Sequence, residues 1–159
     1  MYLDSVDIGM DLILWRHADA EDGVPDASRK LTAKGEKQAQ LMGQWLQSNL
    51  PDKFRVLASP SKRTQQTAQA LAKTFQTVKS IEPGADAMAV LAAAGWPDAK
   101  GSVVVVGHQP TLARVAAFLL SGTESDWHMK KGSVWWLTNR KRQNESQTVL
   151  RVMMSPEFL

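Results

Sequence analysis

Along the chain, continuous apolar runs alternate with segments whose apolar residues recur every three or four positions. The first run, Leu12-Ile13-Leu14-Trp15, ends abruptly in Arg16-His17-Ala18-Asp19 and dissolves into Glu21-Asp22-Gly23-Val24-Pro25. Such a run, bounded by charge and then by turn formers, predicts a strand buried on both faces, as in a sheet covered by helices. A helix follows: Thr32 is a fair N-cap, Glu36 puts negative charge in the first turn, and Ala39, Met42, Gly43, Leu46 and Leu50 share one face until Pro51. Phe54 to Ala58 reads as the second strand. It exits through Ser59-Pro60-Ser61-Lys62-Arg63-Thr64 into a helix with Thr64, Ala68, Leu71, Ala72 and Phe75 inward.

Thr77 to Ile81 reads as a third strand with Glu82-Pro83-Gly84 as its exit, and Ala85 to Ala94 as a short helix closed by Gly95. Ser102 to Gly107 is the clearest strand, because four consecutive valines suit a central position, and it delivers His108. Pro110 opens a helix carrying Leu112, Val115, Ala116 and Leu119 that ends at Ser121-Gly122. Ser133 to Thr138 and Thr148 to Met153 read as a closing hairpin around the polar loop Asn139 to Gln147. This alternation predicts an α/β fold: a three-layer α/β/α sandwich with a mostly parallel sheet and a C-terminal antiparallel hairpin. Residues 11–159 are expected to form a single domain, with Met1 to Met10 as an N-terminal extension outside it.

The topology gives the polar residues a common destination. Ligands of open α/β sheets bind outside the carboxyl ends of the strands, where Arg16-His17, Arg63 and His108 all fall. Taken singly, each has a plain alternative: Arg63 as an exposed first-turn residue, His108 as the partner of a local carbonyl. Together, two guanidinium forks and two imidazoles suit a tetrahedral oxyanion such as phosphate.

Composition narrows the chemistry. The chain has no cysteine, which excludes disulfides, thiolate nucleophiles and thiolate metal sites. No apolar stretch approaches the roughly 18 residues of a membrane span, and the start lacks the pattern of a signal peptide, so a cytoplasmic protein is expected. The net charge of +3 is spread along the chain apart from Lys130-Lys131 and Arg140-Lys141-Arg142, which argues against nucleic acid as a partner. Trp135 and Trp136 alternate across a strand and are expected to pack. So are Met153 and Met154, and His128 is assigned no role.

These residues resemble the histidine phosphatase superfamily, the phosphoglycerate-mutase-like group. Leu14-Trp15-Arg16-His17-Ala18 is similar to its Arg-His-Gly signature, Leu31-Thr32-Ala33-Lys34-Gly35 to its Leu-Thr-x-x-Gly helix start, Ser59 to Ala68 to its second arginine motif, and Val106-Gly107-His108 to its second histidine. The length and Gly107-His108-Gln109-Pro110 are similar to the small bacterial SixA-type phosphohistidine phosphatases, which act in signalling. The resemblance implies His17 as nucleophile and Arg16, Arg63 and protonated His108 as holders of the phosphoryl oxygens, with no metal or other cofactor.

Ala18 departs from the pattern by standing where glycine is usual, which puts a methyl group where backbone approaches phosphate. Larger members carry a proton-donating acid after the third strand. Here Glu82, Asp86 and Asp19 are the candidates, none in a recognisable motif. A weakly equipped donor favours a substrate whose leaving group accepts a proton near neutral pH, and imidazole, with a reference pKa of about 6.5, is such a group. The expected partner is therefore a phosphorylated histidine-containing protein, such as a histidine phosphotransfer domain, with a small phosphate ester as the alternative. A catalytically silent phosphate-binding module is the alternative of another class.

Overall fold

The computed structural model describes residues 7–159, with side chains from Gly9 onward. Six strands form one sheet in the order β3-β2-β4-β1-β5-β6. They are β1 (Asp7–Arg16), β2 (Phe54–Ala58), β3 (Gln76–Thr77), β4 (Ser102–Gly107), β5 (Val134–Arg142) and β6 (Glu145–Met154). The first four run parallel; β5 pairs antiparallel with β1, and β6 antiparallel with β5. Helices α1 (Ala33–Asn49) and α2 (Lys62–Gln69) cover one face, and α3 (Ala87–Ala94) and α4 (Thr111–Ser121) the other.

Alternation along the strands sorts the core into two layers. Ile13, Trp15, Val56, Ala58, Val104, Val106 and Trp136 pack toward Met42 and Leu46 of α1 and Ala68 of α2. Leu12, Leu14, Leu57, Val103, Val105 and Trp135 pack toward Val90 and Leu91 of α3 and toward Leu112, Val115 and Ala116 of α4. Every residue of β4 is buried, as four valines between two helical layers require. Trp135 and Trp136 point to opposite layers, where they meet Trp127 and Trp45 respectively.

Four details differ from the expected elements. Residues 7–10 belong to β1 and not to an extension: Asp7 and Ile8 pair with Lys141 and Arg140, and Met10 is fully buried. The register shifts between Ile8 and Asp11, and a Cβ on Gly9 would collide with the Asn139 carbonyl, so a glycine sits where the bulge brings two backbones together. Met1 to Val6 lie outside the described residues. The third strand is only two residues long and its chain then coils into a 3-10 turn, Lys79–Ile81, that sends Ile81 into the core. Helix α2 ends at Gln69, although Leu71 and Phe75 still pack on the α1 layer. In the hairpin, the strands run on through the polar residues, and only Gln143 and Asn144, both left-handed at φ 52° and 66°, make the turn.

Candidate active site

Three parallel strand ends meet at one point. In the β1–β4 ladder Arg16 lies opposite Gly107, and the His17 amide donates to the Gly107 carbonyl at 3.1 Å, so His17 and His108 leave the sheet side by side. Their ring centroids are 5.5 Å apart. The Ser59 amide donates to the Val106 carbonyl at 3.1 Å, which brings the end of β2 to the same place. Thr64 Oγ1 donates to the carbonyls of Ser59 and Ser61, both at 2.8 Å, and fixes the turn from which α2 projects Arg63.

The His17 ring is oriented by its neighbour. Its Nδ1 lies 2.7 Å from the Ala18 carbonyl, which can only accept, so Nδ1 carries the proton and Nε2 keeps its lone pair. Burial pushes the pKa from 6.5 to about 4, and the charges of Arg63, Arg16 and Arg29 act in the same direction, outweighing the opposing Ala18 hydrogen bond. His17 is therefore a free base at neutral pH.

His108 is also neutral in the free protein. Burial lowers its pKa to about 3, helped by His17, Arg63 and Arg16 and opposed by Asp26. Its Nε2 lies 2.7 Å from Ser59 Oγ and its Nδ1 3.4 Å from Arg63 Nη2. Because the guanidinium can only donate, Nδ1 is assigned as acceptor and Nε2 as the protonated nitrogen. Two arginines in the pocket disfavour a third cation in the free protein, whereas the expected protonated His108 belongs to the phosphoryl-bound state.

The arginines are held from behind. Arg16 Nη1 donates to the Met129 carbonyl at 2.7 Å, and the Gly132 amide returns to the carbonyls of Arg16 and His17. Arg63 donates from Nη1 to the Asp26 carbonyl at 2.9 Å and from Nη2 to the Asp26 carboxylate at 3.0 Å. In both residues Nε is buried without a partner. A buried donor left empty costs about 1–3 kcal/mol, so two of them beside a nucleophilic nitrogen fit an oxyanion that supplies the acceptors.

The acidic candidates are held in different ways. Asp19 ties three segments together, accepting from Lys131 Nζ at 2.9 Å and Thr32 Oγ1 at 2.8 Å. The hydrogen bonds from Lys131 and Thr32 hold its carboxyl below the usual range, so it has no proton to donate at neutral pH. Glu82 is exposed at the end of the 3-10 turn and Asp86 at the N-cap of α3, and Thr111 Oγ1 of α4 donates to the Ala85 carbonyl between them at 2.6 Å. Gly35 stands where a Cβ would strike the Asp19 carbonyl, and Thr32 caps α1 through the Gly35 amide at 2.9 Å. The sequence stretch 31–35 thus packs the helix start against the loop leaving His17. Ser59, Asp26 and Arg29 are the site residues that the sequence pattern did not single out. Ser59 sits directly after a strand's carboxyl end, the same signal that marked Arg16 and His108.

A histidine held as a free base with a buried arginine and a half-buried one whose Nε donors are unpartnered is the arrangement of a phosphatase that uses histidine as its nucleophile. Residues 12–93 match the family described as Histidine phosphatase superfamily (branch 1), and the chain belongs to that superfamily. It is 33% identical to an uncharacterised protein of Picosynechococcus sp., over 94% of this chain and 99% of that one. It is 30% identical to the phosphohistidine phosphatase SixA of Escherichia coli, over 71% of this chain and 76% of that one. Among solved structures, the protein histidine phosphatase SixA complexed with tungstate superposes with a TM-score of 0.75 at 25% identity, covering 94% of this chain and 99% of that one. The sheet and helices are those of this SixA type, as the resemblance implied.

Proposed function

We propose that the protein is a metal-independent phosphohistidine phosphatase that removes phosphoryl groups from histidine side chains of a partner protein. The observation that carries this reading is the fixed Nε2 lone pair of His17 beside the unpartnered Nε–H groups of Arg16 and Arg63. The Nε2 lone pair attacks phosphorus in line, the bond from phosphorus to the substrate imidazole breaks, and its electron pair leaves with that imidazole, which carries a proton on its other nitrogen. Water then displaces His17 from the phosphoryl group, regenerating the free base. Arg16 and Arg63 stabilise the charge on the equatorial oxygens, and His108 joins them by gaining a proton once the anion offsets the arginines.

The leaving group supports the substrate class. Asp19, two residues from His17, is ionised and tied to Lys131 and Thr32, so it offers no proton to a leaving group, which favours a substrate that needs little acid help over an alkyl ester. Among those residues no helix is long and apolar enough to cross a membrane. The test is a turnover comparison, in EDTA, between a phosphorylated histidine phosphotransfer domain and a panel of small phosphate esters, with His17→Ala as control. Preference for the phosphohistidine protein is expected. Preference for an ester would move the function to small-molecule metabolism, and no turnover of either would leave a phosphate-binding module.

A further inference from the structure

A guanidinium has two edges that can each grip an oxyanion in bidentate fashion: the end-on pair Nη1/Nη2 and the side-on pair Nε/Nη2. In Arg63 the end-on edge is taken by one residue, Asp26, through both its backbone carbonyl and its carboxylate. On the side-on edge Nε is buried and unpartnered, and Nη2 makes only a long 3.4 Å hydrogen bond to His108 Nδ1, a nitrogen that stops accepting once it is protonated. Asp26 belongs to the loop between β1 and α1, whose base is closed by a bridge between Ala20 and Leu31 and by the Glu21 amide donating to the Lys30 carbonyl at 2.8 Å. The loop therefore places a carboxylate on a pocket meant for an anion, which needs an explanation.

We infer that Asp26 is a positioning residue for catalysis: it clamps the end-on edge of Arg63 so that the side-on edge is presented to the phosphoryl oxygens. The inference rests on the phosphate-pocket reading above. Its charge is compatible with that pocket because the other carboxylate oxygen is held by Arg29 Nε at 3.0 Å. Arg29, Asp26 and Arg63 form a row with one net positive charge, so the carboxylate is neutralised on both sides. Arg29 is in turn anchored by donating from Nη1 to the Glu21 carbonyl at 3.2 Å. Burial alone would raise the Asp26 carboxyl, but the hydrogen bonds and charges of Arg63 and Arg29 more than reverse this, so it is ionised whenever the enzyme works. The row also places Arg63 in a dry setting with its charge matched before substrate arrives; only 4% of its side chain is exposed, against 59% for Asp26.

Orthovanadate, which mimics the transferring phosphoryl group, reads the pocket regardless of which phosphorylated substrate the enzyme prefers. Its dissociation constant is measured for the wild type, Asp26→Ala, Arg63→Ala and the double variant, with Asp26→Asn as the shape-preserving replacement. Asp26→Ala is expected to weaken vanadate about 10- to 100-fold, by analogy with the loss of outer partners that orient the ligating side chains of metal sites. It should have little further effect once Arg63 is alanine, and Asp26→Asn should fall between. An equal loss in both backgrounds, unchanged binding, or tighter binding in Asp26→Ala would each overturn the assignment, the last by making the carboxylate a competitor of the anion. Absence of vanadate binding by the wild type would instead refute the pocket itself, and this proposal with it.

Discussion

Lowering the pH tests the electrostatics of His17 directly. A base with a pKa of about 4 in the fold and about 6.5 in the unfolded chain binds fewer protons when folded throughout the interval between those values. At pH 5 about 9% of His17 is protonated in the folded protein and about 97% in the unfolded chain, from the two pKa values. Stability from this residue is thus fully present above pH 6.5 and is lost as the pH falls toward 4. The gap of about 2.5 in pKa corresponds to about 3 kcal/mol at about 1.4 kcal/mol per unit. Histidine carbon NMR reads the titration itself, and the chain's three histidines give a resolvable set. The His17 signal should stay in its neutral position from pH 8 to about 5. Denaturation at pH 7 and pH 4 reads the energy: His17→Asn, which cannot titrate, should lose about 3 kcal/mol less than the wild type over that interval. A His17 midpoint near 6.5 in the folded protein, or equal losses for the two proteins, would refute the buried, cation-flanked free base.

Arg63→Ala should weaken orthovanadate binding by about 2–5 kcal/mol, the range for truncating one partner of a buried charge pair, and a calorimetric change within error would remove Arg63 from the pocket. Ser59→Ala should cost about 1–3 kcal/mol in denaturant unfolding, because it strips the partner from His108 Nε2 while leaving the strand end intact. A variant of wild-type stability would show that this hydrogen bond is not formed in solution. Gly35→Ala forces a methyl group onto the Asp19 carbonyl, and a loss of about 1–3 kcal/mol is expected; unchanged stability would mean that α1 does not approach the loop so closely.

The parts of the fold that could be read from sequence are those where burial and chain direction leave one solution. Four valines and the run Leu12 to Trp15 suit central strands, and the polar residue that follows each such strand falls at the sheet's carboxyl edge, which is why Arg16, His17 and His108 meet there. Helix ends were legible from chemistry as well: Gly95 and Gly122 take the left-handed conformation at φ 78° and 82° that closes α3 and α4. Illegible elements lack a buried face. Asn139 to Arg142 and Glu145 to Thr148 extend the hairpin through polar residues, held by the backbone ladder and by Ser146 Oγ donating to Asn139 Oδ1 at 2.6 Å, and Gln143-Asn144 turns without the glycine that usually marks such a corner. Asp7 to Met10 carry no strand signal because Gly9 and Asp11 interrupt the apolar run that the buried Met10 nevertheless joins. Asp26 was hidden for a related reason. Loops have no periodicity, and among Glu21, Asp22 and Asp26 only the closure of the loop in space decides which carboxylate meets Arg63.

The central claim is that His17 carries the phosphoryl group during turnover. The most direct measurement mixes the enzyme with a radiolabelled phosphohistidine protein, quenches in alkali within one turnover, and locates the label by peptide mapping. The expected result is an acid-labile, alkali-stable phosphoramidate on the peptide containing His17, absent from His17→Ala. Label on any other residue, or undiminished turnover by His17→Ala, would contradict the account.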